Sequence, residues 1–258
     1  MGEAMLAAVL GKGLSTPDAV CVSDVKEERR QYLKKKYGVA VNESNKEAAH
    51  SKDMVVLAVK PQNLTEVMAG MKASLKPSQL ILSIIAGARI STLCQGLSHK
   101  CIVRAMPNTP AQIGAGISAW TATAEVTEVQ RGWSRAILGA MGKEIYFDDE
   151  ECLNMATAVS GSGPAYFFLM AESLIDAAVH IGLTSNAAEE LVLQTMLGSA
   201  QLIQKAGKAP AELRRNVTSP GGTTAAALGV LEEGRFSDLI QKAIRAAYHR
   251  AKELGGTG

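Results

Sequence analysis

The segment with the clearest potential for chemistry is Ser219-Pro220-Gly221-Gly222-Thr223-Thr224, which precedes the apolar run Ala225–Leu231. Adjacent glycines let the backbone approach a ligand closely, because they carry no side chain. A helix that begins after them presents unpaired N–H groups and the positive end of its dipole. Hydroxyls at Ser219, Thr223 and Thr224 add donors, whereas an ordinary helix cap needs only one. This combination predicts a site for a small carboxylate and exceeds what a plain cap requires.

Two further segments follow predicted strands, at the position where ligands bind in doubly wound sheets. In Ala58-Val59-Lys60-Pro61, Lys60 comes directly after the strand, and Pro61 suits the first position of a helix. In the segment from Arg104 to Pro110 (RAMPNTP), two prolines impose a rigid turn that can hold Asn108 against a ligand. We expect Arg104 to form a structural ion pair at the sheet end, with a carboxylate clamp as the alternative.

The elements that must position these segments come in two styles, which meet near residue 150. Before that point, short β-branched runs alternate with helical stretches, and the runs at Met54–Val59 and Leu80–Ile85 are almost continuously apolar. Continuous apolar strands are typical of parallel sheets buried on both faces. Further strands are predicted at Ala19–Ser23, Cys101–Arg104, Ile117–Thr121 and Glu144–Phe147, and helices at Lys26–Tyr37 and Asn63–Leu75. The alternation predicts a doubly wound α/β domain over residues 1–150.

After residue 150 the pattern becomes helical, and we assign residues 151–258 to a second domain. The segment Ala158–Ala165 joins the two domains, as a hinge or as a backbone contact with the substrate. Long helices rich in Ala, Leu, Met and Gln are predicted at Pro164–Ile181, Ser185–Ala206, Thr223–Glu233 and Ser237–Leu254. Helices this apolar must be buried, and these few helices form only a small hydrophobic core by themselves. We therefore expect a second subunit to cover them, the alternative being packing on the α/β domain only.

The beginning of the chain resembles the first helix of a dinucleotide-binding unit, in which a strand and a GxGxxG turn come before the helix. Gly2 stands where the third glycine would be, but the strand and the first two glycines are absent from this sequence. Asp24, 22 residues further on, follows a predicted strand, where an acidic residue meets the adenosine ribose or caps the next helix. An acid there favours NADH, whereas Lys26 and Arg29 soften that preference. We expect Met1 to be an internal methionine of a longer chain, which the intact mass of the native protein tests.

Composition and charge exclude several classes of protein. The net charge of 258 residues is only +2, with Lys and Arg spread along the chain, so a nucleic-acid surface is not expected. We find neither an apolar run long enough to cross a bilayer nor a secretory signal. The histidines are scattered, and the cysteines lack the spacing of a zinc site, so we expect no metal and free thiols in a reducing cytoplasm. The four cysteines are Cys21, Cys94, Cys101 and Cys152.

Together these segments make the chain resemble the pyrroline-5-carboxylate reductase family. The matching pieces are AVKP at 58–61, RAMPNTP at 104–110, AVSGSGPAYFF at 158–168 and VTSPGGTTAAAL at 217–228. They span the whole chain in the family's order and spacing, and the last two are the most specific. The departure lies at the front, where only MGEAM matches the end of the family's glycine-rich turn.

The resemblance implies a Rossmann domain, here without its first strand, and an all-helical dimerisation domain whose helices interleave in a homodimer. In some members the dimers assemble into larger rings. It implies reduction of (S)-1-pyrroline-5-carboxylate to L-proline by NADPH or NADH. The substrate carboxylate would lie in the 219–224 loop on backbone N–H groups, Gly221 and Gly222 included, and Thr224 would bond the ring nitrogen. The cofactor would contact Asn45, Ala58, Lys60 and Asn108, beside Gly2, Asp24, Val59 and Pro61.

The sequence is also compatible with two other functions. A reductase of a different imine or a β-hydroxy-acid enzyme would share the cofactor domain. The hydroxy-acid enzymes need a lysine on an early helix of the second domain, and Pro164–Ile181 contains none. A non-catalytic nucleotide-binding protein is the second alternative, and turnover with NADPH and NADH discriminates all three.

Overall fold

The computed structural model describes residues 1–72 and 74–256, which form two compact units. The first unit comprises Met1–Ser162 and Ala247–Gly258, and the second comprises Gly163–Ala246. The first unit extends past the boundary predicted at residue 150 because the helix Glu151–Ala156 buries Leu153 completely within it. A functional division near residue 150 therefore stays a prediction.

Strands and helices alternate through the first unit, as the apolar pattern predicts. The strands are β1 (Cys21–Ser23), β2 (Ala40–Asn42), β3 (Met54–Leu57), β4 (Leu80–Ser83), β5 (Ile102–Met106), β6 (Gly116–Ala122) and β7 (Gly142–Tyr146). The helices are α1 (Gly2–Gly11), α2 (Glu27–Tyr37), α3 (Asn45–Ala49), α4 (Leu64–Met71), α5 (Ile90–Leu97), α6 (Glu128–Ala140) and α7 (Glu151–Ala156). The unit is thus an α/β domain with a mostly parallel arrangement of strands.

The strands of the described residues form two sheets rather than one. The larger has the order β3-β4-β5-β6-β7 and is parallel except for the β5–β6 pair, and the smaller is the parallel pair β1-β2. All four residues of β4 are buried, as its continuous apolar run predicts. In β3 the same kind of run leaves Val56 38% exposed, because β3 pairs with β4 alone and one of its edges is open.

Helix α1 packs against both sheets. Met5 belongs to the core cluster of the larger sheet, and its neighbour Leu6 belongs to the cluster formed with β1, β2 and α2. In the described part of the chain, β1 pairs only with β2 and β3 pairs only with β4, so each of these strands has one open edge.

The second unit consists of helices. They are α8 (Gly163–His180), α9 (Ser185–Lys205), α10 (Pro210–Asn216), α11 (Thr223–Glu233) and α12 (Phe236–Leu254), the last of which ends in the first unit. Large apolar side chains that are more than half exposed in the single chain include Phe167, Phe168, Leu169, Leu191, Leu197, Val230 and Leu239. Exposed large apolar side chains in such number are typical of a protein interface. Over residues 1–72 and 74–256, no helix is both long and apolar enough to cross a membrane.

Glu3 on α1 holds α2 in place. Its carboxylate accepts hydrogen bonds from Lys36 at 2.9 Å, from Tyr37 at 2.9 Å and from Tyr32 at 3.1 Å, and it pairs with Arg29. The hydrogen bond from Lys36 is the largest cause that lowers the pKa of Glu3 to about 2, against the opposing effect of burial. These contacts bind the start of the first helix to the surface of the second.

This cluster predicts an acid-sensitive contribution to stability. The folded pKa of Glu3 lies below its unfolded value, so its contribution is complete above about pH 4.5 and is lost as the pH falls towards 2. We expect Glu3→Gln to lower the urea midpoint of unfolding at pH 7 and to reduce the loss of stability between pH 5 and pH 3. Glu28→Gln, which changes an exposed carboxyl on α2, is the control. Equal pH dependence in both variants contradicts the prediction.

Candidate functional site

The loop 219–224 makes a tight turn that brings the Ser219 hydroxyl close to Gly222. Residues 219–222 form a turn that is closed by a hydrogen bond of 3.1 Å from the Gly222 N–H to the Ser219 carbonyl. Pro220 is its second residue, and Gly221, with φ of 71°, is its third. A positive φ at the third position of a turn, directly after proline, matches a type II turn, which favours glycine at that position. A side chain on Gly222 would place its Cβ 2.5 Å from Ser219 Oγ. The positive φ of Gly221 therefore favours glycine there, and a side chain at Gly222 would displace the Ser219 hydroxyl.

Helix α11 begins at this turn without a side-chain cap. Its N-cap is Gly222, and no side-chain oxygen accepts from its first N–H groups. The expected alternative, an ordinary Ser or Thr cap, is thus absent, and the N–H groups of the first turn are left to solvent or a ligand. Thr223 is exposed and Thr224 is half-buried at the first two helical positions. The loop presents donors and a positive helix end to a small anion.

In the first unit, Gly2 and Ala58 meet where a dinucleotide is predicted to bind. A Cβ on Gly2 would lie 3.1 Å from the Ala58 Cβ, so the start of α1 packs tightly on the chain that leaves β3. This is the role of the third glycine of the dinucleotide fingerprint, which allows close helix–strand packing. The N-cap of α1, Met1, makes no side-chain cap bond, so the helix start can receive a phosphate. These residues fit a nicotinamide dinucleotide.

The rest of the segment after β3 is arranged around the same strand end. Lys60 is exposed and caps a short 3₁₀ turn, Pro61–Asn63, with Pro61 at its start as predicted. Val59 is partly buried and packs its side chain against the core formed by α4, α5 and the larger sheet. The segment therefore offers the Lys60 ammonium and backbone groups to a ligand.

Asp24 and Asn45 lie beyond the carboxyl ends of β1 and β2. One carboxylate oxygen of Asp24 accepts the Lys26 N–H at 2.9 Å in the turn before α2, but Lys26 is the N-cap of that helix and no side chain caps it, so Asp24 does not have the capping role that the sequence leaves open beside the ribose role. Asn45 is the first residue of α3, and Ser44 caps that helix by accepting the Glu47 N–H at 3.3 Å. Capping by Ser44 leaves the Asn45 side chain available for a ligand.

Asn108 is more constrained than the sequence suggests. Its side chain is buried, and its Oδ1 accepts the Ile117 N–H at 2.9 Å, so the amide joins the turn after β5 to β6. The amide nitrogen is the part that can still serve a cofactor. Arg104 is buried and donates to Glu150 at 2.7 Å and to Asn154 at 3.3 Å. Arg104 is thus the structural ion pair expected, and not a carboxylate clamp.

Two features of this region escape sequence reasoning. A π-helical turn occupies Thr157–Gly161, and a Cβ on Gly161 would lie 2.8 Å from the Met106 Cε at the end of β5. The glycine-rich sequence AVSGSGPA signals a close contact but does not reveal a π turn. Glu43, directly after β2, pairs with Arg30 at 3.7 Å, and the sequence analysis predicts neither β2 nor a role for Glu43.

Two family models match this chain. The model described as pyrroline-5-carboxylate reductase dimerisation matches residues 150–254. The model described as NADP oxidoreductase coenzyme F420-dependent matches residues 1–87. Together they cover the helical second half and the front of the α/β unit.

Relatives and solved structures agree with these models over nearly the whole chain. Pyrroline-5-carboxylate reductases of a Synechocystis strain and of Pseudomonas aeruginosa are each 42% identical, covering 99% and 98% of this chain and 95% of each relative. A structure of the Coxiella burnetii enzyme has a TM-score of 0.89 at 36% identity, covering 98% of this chain and 94% of that one. A Plasmodium falciparum pyrroline carboxylate reductase with NADP bound has a TM-score of 0.90 at 32% identity, covering 99% and 94%. This chain belongs to the pyrroline-5-carboxylate reductase family.

Proposed function

We propose that this protein reduces (S)-1-pyrroline-5-carboxylate to L-proline with NADPH or NADH, the last step of proline biosynthesis. The observation that carries the proposal is the uncapped start of α11 behind a Gly-Gly turn, in a chain of this family. A small carboxylate is the group that such a helix start binds best. The bound dinucleotide supplies a hydride.

The residues of the 219–224 loop hold the substrate by its carboxylate. Backbone N–H groups at Gly221 and Thr223 and the Ser219 hydroxyl supply donors without a full positive charge, whereas the Gly222 N–H donates to the Ser219 carbonyl within the turn. Hydrogen bonds to an ionised acceptor are stronger than neutral ones, so a few suffice to fix the orientation of a small ring. Fixing the ring is the main contribution of this chain to catalysis, because positioning alone removes a large part of a barrier.

Thr224 is the residue we assign to the reacting end of the ring. It lies one residue beyond the start of α11, with its side chain half-buried, and its hydroxyl bonds the ring nitrogen. A protonated cyclic imine is already electrophilic at carbon, so the protein needs no nucleophile. Thr224 keeps the nitrogen, and with it the electrophilic carbon, in one orientation.

The test is proline formation by the purified protein with each reduced cofactor. We expect turnover that requires both pyrroline-5-carboxylate and NADPH or NADH. Thr224→Ala lowers kcat/KM about 10-fold, the value of one hydrogen bond near 1.4 kcal/mol. Thr224→Ser retains the hydroxyl and recovers most of the activity. Unchanged kinetics in the alanine variant removes Thr224 from the reaction, and no proline formation with either cofactor removes the proposed function.

We also propose that the second unit forms a homodimer, from which larger rings can be built. The apolar side chains exposed on α8, α9, α11 and α12 support this, together with the dimerisation model that matches residues 150–254. An isologous interface would cover the same surface on both subunits.

We place the enzyme in the cytoplasm on the basis of its cysteines. Cys21, Cys94, Cys101 and Cys152 are free thiols, all partly buried. Burial raises the pKa of the first three, which keeps them protonated and unreactive. Unpaired thiols are typical of proteins in a reducing compartment.

A further inference from the structure

The cofactor preference of this protein is decided at the carboxyl edge of the β1–β2 sheet. The two strands are parallel, and Ser23 pairs with Asn42, so the residues that follow them lie at one edge. Those residues are Asp24 and Glu43, two carboxylates. Asp24 stands 22 residues after Gly2, where the adenosine ribose meets the protein in dinucleotide-binding units.

The arginines near this edge are already engaged. Arg29 pairs with Glu3, and its guanidinium lies 5.0 Å from the centre of the Tyr32 ring. Arg30 donates to the main-chain carbonyl of Asp24 at 2.7 Å and to that of Val25 at 3.3 Å. An arginine that accepts the 2′-phosphate of NADPH needs its planar group free for two parallel bonds. Neither arginine meets this requirement without breaking its present contacts.

The carboxylates, in contrast, keep capacity for a ligand. One oxygen of Asp24 accepts the Lys26 N–H at 2.9 Å, and a carboxylate has about four acceptor positions in all. The side chain of Glu43 is 82% exposed and reaches Arg30 only at 3.7 Å. A 2′-phosphate at this edge would face the negative charges of both carboxylates. The neighbouring cation Lys26 is exposed on the loop before α2.

From this arrangement we infer that the protein prefers NADH to NADPH, with Asp24 as the specificity-determining residue. Its free carboxylate oxygen accepts the 2′- and 3′-hydroxyls of the adenosine ribose, and Glu43 adds to the negative field that disfavours a phosphate. The inference deepens the proposed function and rests on it, since it names the cofactor that this same site takes.

The test is equilibrium binding of NADH and NADPH to the full chain, followed by nucleotide fluorescence or calorimetry in the absence of substrate. We expect NADH to bind at least about tenfold more tightly, because apposed like charges cost several kcal/mol. The preference narrows at 1 M salt, where the Debye length falls to about 3 Å. Asp24→Asn keeps an acceptor for the Lys26 N–H but removes the charge. It should bring the two affinities within about twofold of each other, chiefly by tighter binding of NADPH.

Asp18→Asn is the matched control, because Asp18 is an exposed acid in the turn that precedes β1, at the opposite end of the strand. It should leave the ratio of affinities unchanged. Equal or tighter binding of NADPH to the unaltered protein overturns the inference, as does an unchanged ratio in Asp24→Asn or no binding of either nucleotide. Proline formation that favours NADPH would overturn the inference and leave the proposed function. Tight NADH binding without proline formation would do the reverse.

Discussion

Replacement of Gly222 by alanine is expected to raise KM for pyrroline-5-carboxylate by about 10- to 100-fold. The added Cβ would lie 2.5 Å from Ser219 Oγ and 3.2 Å from the Ser219 carbonyl oxygen, so the hydroxyl must turn away and the carbonyl must shift slightly. One hydrogen bond to a charged group contributes roughly 1.5–3 kcal/mol, which corresponds to that range. Steady-state kinetics at saturating cofactor measure the effect.

Gly229→Ala is the control for this substitution. Gly229 lies in the same helix, α11, and an added Cβ there meets no atom within 4 Å. Alanine is the better helix former, so this variant should keep its KM and lose no thermal stability. If Gly222→Ala keeps the KM of the unaltered protein while remaining folded, the loop does not hold the carboxylate.

Replacement of Phe168 by aspartate is expected to convert the proposed dimer into monomers. Phe168 lies on α8 and is 66% exposed in the single chain. Burial of a Phe side chain contributes about 1.5–3 kcal/mol, and an isologous interface loses it twice. A new buried charge adds to the cost, so the dimer dissociation constant should rise at least about 1,000-fold. Light scattering coupled to gel filtration, or sedimentation velocity, measures the change.

Val129→Asp separates this effect from a general effect of surface charge. Val129 lies on α6 in the first unit and is 65% exposed, which nearly equals the value for Phe168. The variant should remain a dimer with normal activity. A dimeric Phe168→Asp protein, or loss of the dimer in both variants, contradicts the assignment of the interface to the second unit.

Much of the fold follows from local patterns. Helix α11 begins and ends where the sequence predicts, and the continuous apolar run at Leu80–Ile85 yields the fully buried β4. The strand Ala40–Asn42 is not predicted from the sequence, although β1, which has the same length, is. The antiparallel pairing of β5 with β6 was not predicted either, since strand direction depends on the path of the chain between them.

For the candidate site, the residue types indicate which side chains could contact a ligand, but not which protein groups those side chains already bind. From the sequence, Asn108 is expected to contact a ligand, and Arg104 is expected to form an ion pair, with a carboxylate clamp as the alternative. Tertiary contacts separate them, because Asn108 bonds Ile117 with one end of its amide and Arg104 is buried against Glu150. Bonds between residues far apart in sequence depend on side-chain packing, which no local motif specifies.

The loop 219–224 and the acidic residue after β1 were thus determined by sequence alone, since a Gly-Gly turn before a helix and an acid after a strand are local features. Only the tertiary structure decided which neighbours are engaged. From the sequence, Arg29 could bind a cofactor. In the structure it pairs with Glu3, which lies 26 residues away along the chain. A hydrogen bond uses up a donor, so the capacity of a site is known only when every nearby donor has been assigned its partner.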